Sequence, residues 1–233
     1  MSSEVLALVD SIVADAEFDP ARVWPVVVDA GLPLVGVSEA DGGSGGGPAD
    51  LVAIVRRLGY HAIKTPIASA SASARAASAG AVSSGWAELL QLAELVGCVE
   101  GTVAITRAHL RQREQFGAPL LDLPTVRTTL AEMQVEAVQA GAALERCVDR
   151  PGDGAALAGG HVVAAAAATV VSHTAHRLHG AIGLTEEHPL HRYTMLLWDY
   201  RDRPRPAVAD ATALGRLAVE GGPAAVWDSL TAW

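Results

Sequence analysis

Residues suited to chemistry are concentrated in one stretch, His176 to Tyr193, which contains histidines, arginines, two glutamates and two glycines. Gly180 and Gly183 are predicted to end an alanine-rich helix and turn the backbone, because glycine adopts a positive φ without steric penalty. Pro189 then suits the first turn of a new helix, where the missing N–H is no loss. We therefore expect a turn between two helices whose backbone can approach a ligand closely.

Two further patterns are weaker indications of a site. The glycine-rich segment 42–48 lacks the Gly-Lys-Ser/Thr ending of a P-loop and the Gly-x-Gly-x-x-Gly run of a dinucleotide-binding turn, so we interpret it as a flexible turn. His173, His176 and His179 recur every three residues, but no Glu-x-x-His pair accompanies them. No metal site is predicted from this stripe.

Helices must position the stretch, because apolar residues recur at helical spacing along most of the chain. We predict eight helices, which begin or end near these residues: Ser3 to Val13, Pro20 to Ala30, Pro48 to Leu58, Trp86 to Gln112, Pro124 to Cys147, Ala155 to His179, Pro189 to Tyr200 and Ala207 to Val219. The Ala/Ser-rich segment from Thr65 to Ala79 is compatible with a thin helix or with a loose connector.

The predicted fold class is all-α, with long antiparallel helices in a bundle. The glycine- and serine-rich residues 80–85 mark the best boundary. We predict a shortened N-terminal helical domain at 1–80, a C-terminal helical bundle at 86–220 and a tail at 221–233. The apolar run Val162–Val171 is expected to be buried on several sides, at the centre of the bundle or at a subunit interface.

The composition argues against several kinds of partner and location. A formal net charge of −9 disfavours a nucleic-acid partner held through phosphate contacts. Cys98 and Cys147 do not make a disulfide framework, so we expect reduced thiols and a cytoplasmic protein. The run Val162–Val171 is about half as long as a membrane span requires, and no membrane association is expected.

Several short motifs resemble one known family, the acyl-CoA dehydrogenases. The run Arg113-Glu-Gln-Phe-Gly-Ala-Pro119 resembles the family's Arg-x-Gln-Phe-Gly-x-Pro signature, and Leu130-Ala-Glu-Met133 resembles the Leu-Ala-x-Met that follows it. The run His179-Gly-Ala-Ile-Gly183 is similar to the C-terminal His-Gly-Gly-x-Gly signature, and residues 30–45 are similar to the family's glycine-bearing beginning. The pieces keep the family's order along most of the chain.

This resemblance implies a C-terminal four-helix bundle with a short helical N-terminal part. Family members carry a β-barrel domain between their two helical domains. Here only residues 76–85 lie at that point, and no run of alternating β-branched residues is present. We therefore expect a shortened member that has no β-barrel domain.

The resemblance also implies FAD at a subunit interface, where residues of both signatures reach the cofactor of the neighbouring subunit. Carried over position by position, it implies cofactor contacts for six residues: Arg113, Phe116, Arg177, His179, Gly180 and Ala181. Arg113 is expected to pair with the pyrophosphate through charge-assisted bonds. Arg177 replaces the family's Gln, and Ala181 replaces a Gly where the backbone should approach the dinucleotide.

The family's reaction needs a carboxylate that removes the α-proton of an acyl-CoA while a hydride goes to the flavin. One usual position for this base falls near residues 203–205, where no glutamate is present. The other falls at Ala87, so the neighbouring Glu88 is the catalytic candidate.

Three functions remain open at this point. The first is a subunit for α,β-dehydrogenation of an acyl-CoA thioester, in a homo- or hetero-oligomer with a full-length subunit that supplies the β-domain and the base. The second is a non-catalytic helical scaffold or interaction subunit that binds no flavin. The third is a self-sufficient homo-oligomeric flavoenzyme that uses Glu88 or Asp199.

Overall fold

A computed structural model describes residues 3–79, 85–202 and 207–231 of the chain. Within these ranges the α-helices are α1 Ser3–Asp15, α2 Pro20–Asp29, α3 Pro48–Tyr60, α4 Ile67–Ala79, α5 Trp86–Gln112, α6 Pro124–Asp149, α7 Gly154–His179, α8 Leu190–Arg201 and α9 Ala207–Thr231. The described strands are confined to one hairpin, in which Glu114–Gln115 (β1) pairs with Ala118–Pro119 (β2). The predicted all-α class without a β-barrel domain is confirmed.

Helix starts follow from capping residues that are visible in the sequence. The Asp19 carboxylate accepts a hydrogen bond from the Ala21 N–H at 2.9 Å and caps α2. Asp153 caps α7, where its Oδ1 accepts from the N–H groups of Ala155 and Ala156 at 2.9 and 3.0 Å. These caps explain why the predicted starts of both helices agree with the structure.

Most helix limits differ from the prediction by two residues or fewer, the end of the last helix differs by more, and the alternative left open for the Ala/Ser-rich segment is decided. The Ala/Ser-rich segment is helical as α4, and α3 continues beyond Leu58 to Tyr60. The last helix does not end near Val219, because α9 continues to Thr231 across a break at Gly222, where φ is 71°. Most of the predicted boundary at 80–85, and residues 203–205, lie outside the described residues, and the proposed domain limits stay predictions.

Helix α5 is the centre of the fold, since α3, α6, α7 and α8 all pack against it. Where α5 meets α3, the backbones of the two helices contact each other directly at two glycines of α5. A Cβ atom on Gly97 would lie 1.9 Å from the Arg56 carbonyl oxygen, and one on Gly101 would lie 2.0 Å from that of Tyr60. Only glycine fits these two positions, and the close approach fixes the N-terminal helices on the bundle.

Helix α7 is apolar but is not fully enclosed by this chain. Ala164, Ala167, Ala168 and Val171 are buried against the bundle, whereas Val170 is 41% exposed. Helices α5, α6, α8 and α9 all pack against α7, and within the run only Ala166 and Val170 are exposed, so the run is buried on several sides and one narrow stripe is left uncovered.

Within the described ranges, two segments are long and apolar enough to cross a membrane, judged by length and hydropathy alone. They are α5 and the stretch Gly154–Leu184, and 78% and 39% of their respective most apolar windows are buried within the structure. The sequence argument missed them because it counted an uninterrupted apolar run rather than mean hydropathy. A buried core helix meets the same criteria, so the test is weak for either segment.

Candidate functional site

The first family signature folds into a hairpin with an exposed aromatic tip. Phe116 and Gly117 connect β1 to β2, and both have positive φ values, 57° and 81°. Two-residue hairpin turns of this kind favour glycine, so a phenylalanine here is held in an unfavourable backbone conformation. The Phe116 ring is 89% exposed and points away from this chain's own core.

A groove lies beside the hairpin, between the end of α5, the start of α6 and the end of α7. It has a volume of about 630 Å³, and we call it the arginine groove. Its described lining residues are His109, Leu110, Arg113, Gln115, Leu120, Leu123, Val126, Arg177, Leu178, His179, Gly180, Ala181 and Ile182. The lining includes two guanidinium groups and, among the described residues, no carboxylate.

Both arginines of the groove are available to a ligand. Arg113 and Arg177 are exposed, and neither forms an ion pair within the described part of the chain. The alternative in which Arg113 makes an interhelical ion pair is thus not observed there. In a chain of net charge −9, this groove is suited to an anion.

The turn after α7 forms the floor of the groove, and its two glycines are needed for different reasons. Gly180 has φ 63° and ψ −144°, which ends α7 in a conformation that other residues rarely adopt. Gly183 has no room for a side chain, since an added Cβ would lie 2.8 Å from the Cβ of His179 and 2.9 Å from Leu190 Cδ2. A Cβ at Gly180 would meet open space, and Ala181 is exposed.

Three histidines meet at this floor. The rings of His109 and His179 stack with centroids 4.3 Å apart, and His188 approaches the His179 ring edge-on at 4.6 Å. His179 is 6% exposed, and its Nδ1 lies 2.8 Å from the Ala175 carbonyl oxygen, so Nδ1 carries the proton and donates it. Its Nε2 is buried and has no hydrogen-bond partner among the described residues.

The environment keeps these rings neutral. Burial lowers the pKa of His179 to about 4, with smaller contributions from His109 and His188, although the hydrogen bond to the Ala175 carbonyl acts in the opposite direction. Burial also lowers the pKa of His109, assisted by the charge of Arg113, and that of His188. Uncharged imidazoles are therefore the dominant form at pH 7.

The catalytic candidate Glu88 lies elsewhere. It lines a second cavity of about 500 Å³ near the start of α5, together with Trp86, Arg75, Arg150 and His161. Glu88 and Arg113 are 25 residues apart along one straight element, which at 1.5 Å per residue is about 37 Å. The structure does not bring the base candidate and the arginine groove together within one chain.

Asp199, the other carboxylate considered as a base, and its neighbour Asp202 are engaged in ion pairs. Lys64 Nζ lies 2.6 Å from Asp199 Oδ2, and Arg201 Nε lies 2.7 Å from Asp202 Oδ1. Both pairs are on the surface. Their position and partners do not resemble a dry pocket that raises a carboxylate pKa.

Five of the six predicted cofactor residues share the arginine groove: Arg113, Arg177, His179, Gly180 and Ala181. Phe116 is separate, at the hairpin tip. Sequence reasoning missed His109 and His188. His109 lies one helical turn before Arg113, so its position in the groove was predictable from helical spacing, whereas the return of His188 depends on the turn after α7.

Comparison with known proteins supports the resemblance. Residues 85–197 match the profile of the acyl-CoA dehydrogenase C-terminal domain. The acyl-CoA dehydrogenase IpdE2 of Mycolicibacterium smegmatis is 31% identical over 108 residues, which are 46% of this chain and 34% of that protein. The match thus spans about a third of the length of this curated relative.

Solved structures share the fold at low sequence identity. The ChsE4–ChsE5 complex of Mycobacterium tuberculosis contains a chain that matches with a TM-score of 0.78 and 18% identity, over 94% of this chain and 97% of that one. The Tcur3481–Tcur3483 steroid ACAD G363A variant matches with a TM-score of 0.80 and 20% identity, over 94% and 98%. The structure of a glutaryl-coenzyme A dehydrogenase in complex with glutaryl-CoA matches over 59% of this chain and 36% of that enzyme's chain, with a TM-score of 0.55 and 23% identity.

These matches agree with the order of motifs, the helical architecture and the absence of a β-barrel domain in the described residues. The near-complete coverage of two shortened chains indicates that the fold extends from α1 to the last helices. Residues 85–197 are therefore identified as an acyl-CoA dehydrogenase C-terminal domain, and the described residues contain no middle β-domain.

Proposed function

We propose that this chain is a subunit of an acyl-CoA dehydrogenase-like assembly and lends the arginine groove to an FAD that is shared with a partner subunit. The reaction is the α,β-dehydrogenation of an acyl-CoA thioester. FAD, when bound, accepts the hydride of that reaction. The observation that carries the proposal is that Arg113 and Arg177, which form no ion pair with any described residue, line a groove without a carboxylate among its described lining residues, in an acidic protein.

The residues present fit a dinucleotide in three respects. Arg113 and Arg177 match the two negative charges of a pyrophosphate. The open space at Gly180 allows the backbone to approach the ligand. The groove volume of about 630 Å³ is that of an ordinary ligand site.

Arg177 and Ala181 change the character of the site without blocking it. Arg177 replaces an uncharged amide contact by a cation, which strengthens attraction to a phosphate. The methyl group of Ala181 lies on the exposed side of the turn. Both departures from the family pattern are therefore compatible with cofactor binding.

Two exposed features support assembly with a partner. The ring of Phe116 is 89% exposed at the hairpin tip, where its backbone conformation is unfavourable, which is typical of a residue retained for a contact. Ala166 and Val170, which α7 leaves exposed, supply a second, smaller apolar surface. We infer that the partner covers both, in agreement with the two similar structures whose names each give a pair of components.

The catalytic base is proposed to come from the partner. Glu88 is about 31 Å along α5 from His109, the lining residue of the arginine groove nearest to it in the chain, which is too far for contact with a ligand bound between Arg113 and Arg177. A homo-oligomer that uses Glu88 at the second cavity is the alternative, because that cavity of about 500 Å³ is large enough for an acyl group. We propose a cytoplasmic location, because Cys98 and Cys147 are both buried free thiols.

The experiment is purification of the chain alone and after co-expression with a β-domain-bearing acyl-CoA dehydrogenase subunit. We expect a colourless chain alone and a yellow complex that is bleached by an acyl-CoA, with steroid side-chain thioesters included among the substrates because one similar structure is a steroid ACAD. Flavin in neither sample favours the scaffold. A yellow homo-oligomer that is bleached by an acyl-CoA favours the Glu88 alternative.

Arg113→Ala tests the site itself. It should lower flavin occupancy of the complex at least tenfold, because a charge-assisted contact is lost. Arg111→Ala is the matched control, since Arg111 is an exposed arginine two residues away that does not line the groove. Equal occupancy in the two variants would contradict the assignment.

A further inference from the structure

The three histidines at the floor of the groove form a candidate metal site. We propose that His109, His179 and His188 bind a divalent transition-metal ion of the zinc class. The site goes beyond the proposed flavin function and does not depend on it. It would join three elements, because the ligands lie on the last turn of α5, the last turn of α7 and the turn that precedes α8.

The arrangement places one nitrogen of each ring within reach of a single ion. The ligand atoms of the three residues all lie within 4.8 Å of one another. Two nitrogens that each lie about 2.0–2.1 Å from a tetrahedral zinc ion are about 3.4 Å apart. Side-chain rotations that bring the nitrogens closer by about 1.4 Å therefore complete the site.

His179 is already oriented as a metal ligand. Its Nδ1 donates to the Ala175 carbonyl oxygen at 2.8 Å, which fixes the tautomer with a bare Nε2 lone pair. That Nε2 belongs to a residue that is only 6% exposed, and nothing in the described part of the chain forms a hydrogen bond with it. A buried, unpaired nitrogen has a free-energy cost that a bound cation would remove.

His188 needs one adjustment. Its Nδ1 accepts a hydrogen bond from the Leu190 N–H at 3.2 Å, which places the ring proton on Nε2. Binding through Nε2 moves this proton to Nδ1 and breaks a long, weak bond at the start of α8. His109 lines the groove and stacks on His179, so it can turn into the site from the open side.

The ligand set selects the class of ion. Three neutral imidazoles suit zinc, cobalt, nickel and copper ions rather than magnesium or calcium, which prefer oxygen. Three protein ligands leave a fourth position open toward the groove, where water or an anionic oxygen completes the shell. The positive charge of Arg113 near His109 opposes the ion, and we therefore expect micromolar rather than picomolar affinity.

The test uses the full chain, freed of metal with a chelator and without added flavin or partner. Titration with Zn²⁺ alone should show one equivalent bound, and Co²⁺ should give visible absorption bands typical of four-coordinate sites. Zn²⁺ at a hundredfold excess over its Kd should raise Tm by about 5 °C.

Variants separate the site from adventitious binding. His188→Ala should weaken Zn²⁺ binding by at least about a hundredfold, and His109→Gln should do the same if the first variant does not fold. His173→Ala, an exposed histidine on α7 outside the cluster, should bind as the wild type does. Failure to bind one equivalent, or equal affinity in His188→Ala and wild type, would overturn the proposal. Flavin content of the co-expressed complex is measured separately, so either proposal can fail without the other.

Discussion

Replacement of Phe116 by glycine should have opposite effects on the isolated chain and on its assembly. The ring is 89% exposed, so about a tenth of the 1.5–3 kcal/mol available from burying a phenylalanine, roughly 0.2–0.3 kcal/mol, is lost. A left-handed conformation costs an L-residue about 1–2 kcal/mol, and glycine avoids that cost. Glycine also has more conformational freedom in the unfolded chain, which lowers the free energy of unfolding by about 0.5–1 kcal/mol.

The sum predicts a free energy of unfolding that stays within about 1 kcal/mol of the wild-type value, on the stabilised side. In the complex, a ring that enters a partner pocket is worth about 2–4 kcal/mol, so its removal should raise the Kd for the partner by about 30- to 1000-fold. Urea unfolding of the chain alone and calorimetric titration with the partner measure the two quantities.

Phe18 provides the matched control, because it also has a positive φ, 58°. Its ring is only 44% exposed and lies 5.9 Å from the His61 ring, so Phe18→Gly removes an internal contact. We expect this variant to destabilise the isolated chain and to leave partner affinity unchanged. A destabilised Phe116→Gly chain with normal affinity would refute the assignment of Phe116 to the interface.

Three further predictions concern the groove and the core. Arg177→Gln, which restores the family residue, should raise the Kd of flavin for the complex about tenfold through loss of a charge-assisted bond, and an unchanged flavin titration would contradict this. Between pH 6.5 and about 4, the unfolded chain protonates at His179 before the folded chain does, so stability should fall by up to about 3 kcal/mol. His179→Gln should flatten this fall in urea unfolding over a pH series, and an equally steep fall would contradict it. Gly97→Ala should cost several kcal/mol or prevent folding, since its Cβ meets backbone, whereas Gly159→Ala, with open space around it, should gain about 0.5–1 kcal/mol by thermal melting.

Helix positions were predictable where the determinants are local. The predicted starts of α2 and α7 agree with the structure, where Asp19 and Asp153 each place a side-chain oxygen just before the helical run and cap it. The Ala/Ser-rich segment could not be decided, because small residues on all faces carry little periodicity. Its helical state is set by tertiary packing, seen in the burial of Ile67 and Ser71.

Several residues that line the arginine groove could be predicted from the sequence, but their arrangement in space could not. Motif order indicated Arg113, Arg177 and Gly180, yet nothing local shows that their side chains share one cavity. The distance of Glu88 from Arg113 followed from helix length alone. The exposed, left-handed Phe116 and the approach of His188 depend on turns whose dihedral angles the sequence does not determine uniquely.

The length of α5 has a consequence for stoichiometry. Helix α5 is continuous over 27 residues, so the second cavity, which Trp86 and Glu88 line, and the arginine groove lie at opposite ends of it. Their separation is longer than a single extended dinucleotide. Two chains that pair along this helix can therefore form either one flavin site to which both contribute residues, or two such sites, one at each end. The number of flavins per pair of chains would therefore show whether one kind of subunit supplies the catalytic base or each chain supplies it to the other.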